Sequence, residues 1–515
     1  MTSPEFLHAG CLPPERWSNV ALRSSESGLS LSYGELSVAV DAVAEMLAQG
    51  GIGPGSRVVL MADASPEFVI GLLACAACGA AAAPIDVTLR GSSLECAMEV
   101  LEPDGIIGFA EPVRRLPEAT RERAAVCLVL DRIVSEPVKA LAGTARVGAV
   151  PRSLRASLAA PPGSAHARSA AGASTEDDCL LIATSGSTGI PKYVRLSHRS
   201  VSFNVRAHLA SLGLEHPFRS LQVLSVAYSY GLISSLLGTL VAGGTVVFPA
   251  RFDARAARDA IEREGPAVCL ASPGFFESLV DGCSREGPAV LGRLRKIGIG
   301  GDRCPAPLRS KLQAAMPAVQ AYVTYGATEA GPRISTLPPE HFLTRPLSVG
   351  LPLPGVSLAV LDSRGQPCPP GRIGTLHVRT PSRMSGYLGE SSPLHPHALE
   401  TGDLASLDED GFLTVYGRLD RQIKHRGRRV NPAQIELVLL EFPGIVSARV
   451  EQSDASGGLR AVVHRRSSDE LGFERALLAH CRRNLPARLV PGEIRTVVDD
   501  GSYFFKGKRL AFSET

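Results

Sequence analysis

The sequence predicts an α/β protein in several lobes, with a large N-terminal part built on parallel, helix-covered sheet and a smaller C-terminal part. Three observations carry this reading. The chain has 515 residues, too many for one simple core when domains run to roughly 100–200 residues. Apolar runs of strand length alternate with amphipathic runs of helix length, the pattern of a parallel sheet covered by helices. From Gly350 onward the texture changes to Gly, Pro and alternating β-type residues.

In chain order, Leu36, Val40, Val43, Ala44 and Leu47 recur at helical spacing over residues 31–50. Ser32 can cap that helix and Gly50-Gly51 ends it. A strand over Arg57–Met61, a helix over Pro66–Cys78 and a strand over Ala81–Ile85 follow. Residues 151–176, rich in Ala, Ser, Pro and Arg, read as an exposed surface loop. Leu180–Ala183 is an apolar strand. The alternation resumes as a strand over Ser220–Val226, a helix over Ser234–Val241, a strand over Thr245–Pro249, a helix over Ala254–Glu264 and a strand over Ala267–Ala271. Val356–Leu361 and Gly374–Val378 belong to a small β-rich subdomain. A last unit opens after Arg418, with strands over Ile445–Val450, Arg460–Arg465 and Ile494–Val498 and a helix over Phe473–Arg483. No internal repeat is visible.

Composition narrows the function. Hydrophobic residues make up 44% and charged residues 20%, ordinary for a soluble globular protein. A net charge of +3 is too small to argue for nucleic acid or a membrane surface. The longest apolar run, near Phe68 to Pro84, falls short of the roughly 20 residues a membrane span needs. Met1 to Trp17 lacks the charged-then-apolar order of a secretory leader. The 11 cysteines are scattered and odd in number, which points to reduced thiols in a cytoplasm. Cys75 and Cys78 form a CxxC inside an apolar helical run with no second pair at ligand spacing, and read as buried helix cysteines.

The strand at Leu180–Ala183 runs into Thr184-Ser185-Gly186-Ser187-Thr188-Gly189-Ile190-Pro191-Lys192. The two glycines let the backbone turn tightly against a polyanion, the hydroxyls and free amides donate to phosphate oxygens, and Lys192 adds a compact positive charge. It is not a Walker A loop, because Pro191 precedes the lysine and Tyr193 follows it. Basic residues elsewhere are overwhelmingly arginine, with 47 Arg against 7 Lys, yet Lys192, Lys424, Lys506 and Lys508 all fall in motif regions, where a point-charge donor is wanted.

Thr184 to Lys192 resembles the signature of the AMP-forming adenylating superfamily, which contains acyl-CoA synthetases, peptide-synthetase adenylation domains and firefly luciferases. Further stretches resemble that family in order: Leu31–Leu36 and Gly79–Asp86; Gly300-Gly301-Asp302, where the family lines the adenine pocket; Tyr325-Gly326-Ala327-Thr328-Glu329; Gly374-Thr375-Leu376 and Gly386-Tyr387; Thr401-Gly402-Asp403; Gly417-Arg418-Leu419-Asp420; and Lys424 to Glu436.

The resemblance implies a reaction in two halves, in which a carboxylate attacks the α-phosphorus of ATP to give acyl-AMP and pyrophosphate, and a thiol then attacks the acyl carbon and releases AMP. It implies adenine stacking on Tyr325, donation by Thr328 to the α-phosphate, Mg²⁺ at Glu329, ribose hydroxyls at Asp403, and ribose or phosphate contacts from Arg418. It implies two helix-covered sheets plus a small β-barrel-like subdomain over residues 1–418, a mobile α+β domain over 419–515, and a hinge at Asp420 between half-reactions. Gly427 would line the pantetheine tunnel. Around it Lys424, His425, Arg426, Arg428 and Arg429 form a basic patch suited to CoA phosphates or to an acidic carrier protein.

Two departures matter. The C-terminal catalytic lysine of the family ends a Pro-rich run in Gly-Lys. Here Gly507-Lys508 fits the core, Lys506 is a rival, and the usual prolines and hydroxyl are missing. Amino-acid-activating relatives place an aspartate after the phosphate loop, whereas Ser225–Leu232 carries no acid. The expected substrate is therefore a carboxylic acid without an α-amino group, with Tyr228, Tyr230, Gly231, Phe275 and Phe276 as pocket candidates. The reading is an acyl-CoA ligase using ATP, Mg²⁺ and coenzyme A. Loading of a separate carrier protein, and thioester formation alone from a supplied acyl-AMP, stay open, and a homodimer is an allowed assembly.

Overall fold

The computed structural model describes residues 11–12, 14–129, 147–149, 174–184, 191–286, 288–390, 398–419, 423–425, 428–453, 458–465, 472–498, 504–505 and 508–509. The expected exposed loop at 151–176 lies outside them up to residue 173, as does Asp420.

Two sheets dominate. The first opens with β1 (Val20–Ser24) and β2 (Ser30–Ser32). The second takes the next strands: β3 (Arg57–Met61), β4 (Ala81–Pro84), β5 (Gly105–Gly108), β6 (Val126–Val129), β7 (Val147–Ala149), β8 (Asp178–Thr184) and β9 (Lys192–Ser197). Their order is β9-β8-β4-β3-β5-β6-β7, parallel except at the β8–β9 hairpin. The first sheet resumes with β10 (Arg219–Leu221), β11 (Thr245–Phe248), β12 (Val268–Ala271), β13 (Lys296–Ile299) and β14 (Gln320–Gly326), which run parallel. It then reverses into β15 (Arg333–Leu337) and β16 (Ser348–Pro352). The β-rich subdomain is continuous with this sheet. β17 (Ser357–Leu361), β18 (Gly374–Arg379), β20 (Leu399–Leu407) and β21 (Leu413–Arg418) pair antiparallel in the order β17-β18-β20-β21-β16, and the two-residue β19 (Gly386–Tyr387) crosses to β9 of the second sheet.

Strand periodicity decides the layers, because successive side chains face opposite sides. In β3, Val58 and Leu60 join the largest core cluster, while Val59 and Met61 join another. In β11, Val246 and Phe248 face that largest cluster and Val247 faces a third. The largest cluster therefore lies between the two sheets, filled by helices Tyr33–Gln49, Pro66–Cys78 and His198–Leu212. Helices Ala254–Glu264, Pro273–Glu286 and Ala306–Ala315 cover the outer face of the first sheet, and Gly91–Leu101 that of the second. The layers run helix, sheet, helix, sheet, helix. A separate cluster, with Val430, Ile435, Leu439, Val450, Val463 and Leu477, serves β24 (Ile445–Gln452), β25 (Leu459–Arg465), β26 (Glu493–Val498) and helices Pro432–Leu440 and Phe473–Asn484.

Most expected elements form within a residue or two of their sequence bounds. Two differ. The strand expected over Ser220–Val226 stops at Leu221 because buried Gln222 turns its side chain into the loop: its Nε2 donates to Leu224 O (2.8 Å) and Gly231 O (3.2 Å), and Ser235 Oγ donates to its Oε1 (2.8 Å). The helix expected over Ser234–Val241 starts earlier, as wide π-helical turns over Tyr230–Leu237 that pass into Gly238–Val241. At Gly231 a Cβ would sit 2.2 Å from Ser225 O, so this close approach requires glycine. Cys75 and Cys78 lie in helix Pro66–Cys78 without a disulfide, their thiols pushed up by burial. No helix among the described residues is long and apolar enough to cross a membrane.

The helix at Tyr33–Gln49 carries a capping box: Ser32 Oγ accepts from Glu35 N (3.2 Å) and Glu35 Oε2 accepts from Ser32 N (2.7 Å). Ser32→Ala is expected to lower stability by about 1 kcal/mol, read as a lower urea midpoint, and Ser32→Asp to recover most of it.

Candidate active site

The loops that follow β10, β12, β13 and β14 leave the same edge of the sheet, because these strands are parallel. Ligand sites of open α/β sheets form at such carboxyl ends. Here the sheet also changes from parallel to antiparallel, between β14 and β15.

That reversal carries Tyr325, Thr328 and Glu329. β14 ends in Tyr325-Gly326, and a Cβ at Gly326 would sit 1.8 Å from Pro332 O, so the returning chain packs against bare backbone. The loop is held from behind. Asn204, buried in helix His198–Leu212, has its amide nitrogen near Ala330 O (3.3 Å), Arg333 O (2.9 Å) and Ser382 Oγ (3.0 Å), and its Oδ1 accepts from Arg333 N (3.0 Å). Met384 N donates to Glu329 O at 2.9 Å.

Tyr325, Thr328 and Glu329 each have a polar side-chain neighbour. The Tyr325 hydroxyl donates to Asp403 Oδ2. Burial, and then the Asp403 charge, push that hydroxyl well above the usual tyrosine range, so it stays a donor. Arg418, facing Asp403 across β20–β21, donates from Nη1 to Thr401 O (2.8 Å) and stands 4.0 Å from Asp403 Oδ1. Gly402, with φ +71°, leaves room for that guanidinium, since a Cβ would meet Arg418 Nη2 at 3.1 Å. Thr328 Oγ1 is 2.9 Å from Ser229 Oγ. Glu329 Oε1 accepts from the Tyr387 hydroxyl (2.9 Å), which burial and the Glu329 charge push up.

The phosphate-loop motif spans the β8–β9 hairpin. Thr184 and Lys192 pair across its base, with Thr184 Oγ1 donating to Lys192 O at 3.3 Å. Ser185, Gly186, Ser187, Thr188 and Gly189 lie outside the described residues. Lys192 Nζ sits 5.0 Å over the Tyr387 ring and donates to Glu390 Oε1 at 2.7 Å. Lys192, Tyr387 and Glu329 thus form one chain of contacts. This pairing of β9 with β19 joins the two sheets' loops at one place.

Gly300-Gly301-Asp302 forms the turn after β13, with Gly301 at φ +81°. Tyr230 packs beneath it, its hydroxyl donating to Gly298 O (2.9 Å). A Cβ at Gly300 would meet Tyr230 Cε1 at 3.1 Å and Thr324 Oγ1 at 2.5 Å. The Tyr228 hydroxyl donates to Asp86 Oδ2 (3.2 Å) and is pushed up to about 12 by burial and then by Asp86. Phe275 sits in the apolar cluster of the sheet's outer face, edge-on to Phe276 at 5.9 Å between ring centres. The pocket candidates therefore separate: Tyr230 lies under the Gly300-Gly301 turn, Gly231 packs on Leu224 and Ser225, Tyr228 is tied to Asp86, and Phe275 packs with hydrophobic neighbours.

In the C-terminal part, Lys424 pairs with Arg429 and His425 with Arg428 across the hairpin β22 (Ile423–His425) and β23 (Arg428–Val430). Arg426 and Gly427 at its tip lie outside the described residues. Lys508 opens β28 (Lys508–Arg509), paired through its backbone with Phe505 of β27 (Phe504–Phe505). Lys506 also lies outside them.

Among the described residues no three His, Cys, Asp or Glu side chains cluster as a metal cage. A single carboxylate, Glu329, oriented by Tyr387, fits Mg²⁺ of the kind that keeps most of its coordination to substrate phosphates and water. Asn204, Ser229, Thr324, Arg333, Tyr387 and Glu390 complete the site. The sequence reading gave none of these a role, because Asn204 and Arg333 act across the sheet and only tertiary register brings them to the loop.

Feruloyl-CoA synthase of Amycolatopsis sp is 29% identical over 440 residues, covering 84% of this chain and 83% of its own length. Indoleacetate–CoA ligase of Aromatoleum aromaticum is 30% identical over 452 residues, covering 86% and 83%. Among solved structures, the anthranilate CoA ligase AuaEII in complex with anthranoyl-AMP superposes with a TM-score of 0.83 over 96% of this chain and 94% of its own, at 21% identity. The amide bond synthetase McbA from Marinactinospora thermotolerans superposes with a TM-score of 0.78 over 95% of each chain, at 26% identity. Residues 13–388 match the family described as AMP-binding enzyme, and the chain belongs to that family.

Proposed function

We propose that this AMP-binding enzyme is an acid–thiol ligase that activates a carboxylic acid lacking an α-amino group as acyl-AMP and transfers the acyl group to coenzyme A. The observation that carries the reading is the side-chain linkage of Tyr325, Thr328, Glu329, Asp403 and Arg418 around one loop at the carboxyl ends of parallel strands, with Lys192 brought to it through Tyr387. The names of the relatives support the thiol acceptor.

In this mechanism the residues divide the work. Asp403, oriented by the Tyr325 hydroxyl, accepts from the ribose hydroxyls, and the Tyr325 ring stacks on adenine. Lys192 leaves Glu390 for the phosphates. That exchange is easy because the Lys192–Glu390 pair is exposed, 46% and 43% by side chain, and such pairs are worth only about 0–1 kcal/mol. Thr328 donates to the α-phosphate, where charge develops as the carboxylate oxygen attacks phosphorus and pyrophosphate leaves. Glu329 would hold Mg²⁺, which when bound would neutralise charge on the phosphates. In the second half the thiol sulfur attacks the acyl carbon, the carbon–oxygen bond to phosphate breaks, and AMP leaves. Lys508 is proposed to bridge the attacking carboxylate and the α-phosphate. Residues 419–515 are proposed to turn about Asp420 between the halves, bringing Gly427 and the basic residues Lys424, Arg426, Arg428 and Arg429 to the pantetheine arm.

The test is pyrophosphate release over a panel of fatty and aromatic acids with ATP and Mg²⁺, run with and without coenzyme A. Release that depends on one acid class, followed by thioester only when coenzyme A is present, is the expected result. Silence across the panel, with thioester from a supplied acyl-adenylate, would leave the chain only the second half. Glu329→Ala is expected to lower turnover at least about tenfold and to move Mg²⁺ dependence to higher concentration, with the melting temperature unchanged. Gly427→Leu is expected to abolish thioester formation while acyl-AMP still forms, which single-turnover quenching separates. Equal loss of both steps would contradict the tunnel role.

A further inference from the structure

Arg333 opens β15 opposite Gly326, directly behind the adenylate loop. It is 4% exposed. Its guanidinium lies 4.3 Å over the Tyr230 ring and donates one hydrogen bond, from Nη1 to Thr324 Oγ1 at 3.2 Å. Its Nε is buried without a partner. Among the described residues the groups whose charge bears on it are the hydroxyls of Tyr230 and Tyr325, and no carboxylate does. Burial pulls its ionisation down only to about 10, so it is a cation at neutral pH. Beside it, His208 is 1% exposed, with both ring nitrogens unpartnered. Burial and the Arg333 charge hold that imidazole down at about 3, so it is neutral and offers one N–H.

A guanidinium shut away from water without an anion is costly, and neither a ring face nor a single hydroxyl replaces a carboxylate. The surroundings are tight: a Cβ at Gly300 would stand 2.5 Å from Thr324 Oγ1 and 3.1 Å from Tyr230 Cε1, and the flat fork of Arg333 ends beside these two residues with its Nε to spare. Tyr230 follows Ser229, which touches Thr328. Thr328 and Arg333 are thus linked through the neighbouring residues Ser229 and Tyr230, and an acid with its reacting carboxylate at Thr328 would meet Arg333 with its far end by lying along Tyr230. We infer that the acid this enzyme activates carries a second carboxylate, received by the Arg333 guanidinium with the His208 N–H beside it, and that Arg333 sets specificity for such diacids over monoacids. This rests on the acid-activating reading above.

The experiment uses the full chain and paired acids: butyrate against succinate, octanoate against suberate, and benzoate against isophthalate and terephthalate. One arm measures kcat/KM from pyrophosphate release with ATP and Mg²⁺. The other measures acid binding calorimetrically with AMP present. The expected result is a diacid preferred over its monoacid partner by about 10- to 100-fold, the range for a hydrogen-bonded charged group. Arg333→Met should erase that preference with an unchanged or raised melting temperature, and Arg333→Lys should retain part of it. Preference for monoacids, or an Arg333→Met change that scales both acids of a pair equally, overturns the inference while leaving ligase activity in place. If no acid releases pyrophosphate, the adenylation half of the reading fails and the calorimetric arm decides alone: Arg333-dependent diacid binding upholds the inference, and indifferent binding overturns it. Should Arg333→Met not fold, the ratio measured with Arg333→Lys decides in its place.

Discussion

The candidate site depends on one close backbone approach, the reversal from β14 into β15. With Pro332 O 1.8 Å from where a Cβ would stand at Gly326, the chain leaves a parallel strand and returns antiparallel with almost no loop to spare. Tyr325, Thr328 and Glu329 are consequently presented from a rigid strand end and a single tight turn, pinned by Asn204 and Ser382 from the neighbouring helix and loop. Rigid presentation of this kind is what positioning catalysis needs, since reacting groups must be held in place before substrate arrives. The reversal also explains why the β-rich unit belongs to the first sheet: once β15 runs antiparallel, β16, β21, β20, β18 and β17 extend the same sheet as a meandering edge.

The charges at the site are matched in a particular way. Asp403, Glu329 and Asp86 each accept a hydrogen bond from a tyrosine hydroxyl, at Tyr325, Tyr387 and Tyr228. A tyrosine orients a carboxylate without cancelling its charge, and burial together with the carboxylate keeps the phenol protonated. The carboxylates are therefore fixed in direction by groups that bring no charge of their own, which suits the ribose and Mg²⁺ roles proposed for Asp403 and Glu329. Arginine or lysine in the same positions would fix the carboxylates equally well and compete with the ligand. The direct ion pair of Lys192 with Glu390, at the foot of the phosphate-loop motif, is exposed and exchangeable.

Sequence legibility followed the range over which each residue acts. The helix at Tyr33–Gln49 was readable to its ends because Ser32 and Glu35 form its cap within one turn. Arg57–Met61, Pro66–Cys78 and Ala254–Glu264 were readable because each is bounded by local periodicity and breakers. The motifs around Tyr325 and Asp403 stood out because their glycines answer steric demands, Gly326 against Pro332 and Gly402 against Arg418. What stayed hidden acts through tertiary register. Gln222 ends a strand by reaching forward to Gly231, and the stretch Tyr230–Leu237 winds wide for a reason that its own apolar pattern does not contain. Asn204 carried no signal of its own, and Tyr387 stood only at the end of a short motif, until the sheets placed them beside Ala330 and Glu329.

Arg333 shows how polar bookkeeping in a buried strand exposes function that patterning conceals. β15 is buried throughout, yet three of its five residues, Arg333, Ser335 and Thr336, are polar. Two are settled within the protein: Ser335 Oγ donates to Val349 O at 2.9 Å, and Thr336 Oγ1 lies 3.0 Å from Ser211 Oγ. Buried polar groups normally find such partners because leaving one unmade is expensive. Arg333 carries a full charge, meets a ring and one hydroxyl, and leaves donors over. A hydrocarbon side chain at this position would stabilise the strand more. A strand that forgoes that stability at its position opposite Gly326 keeps a cation behind the turn that carries Thr328 and Glu329, and on the diacid inference an anion on the substrate restores the balance that the fold by itself leaves open.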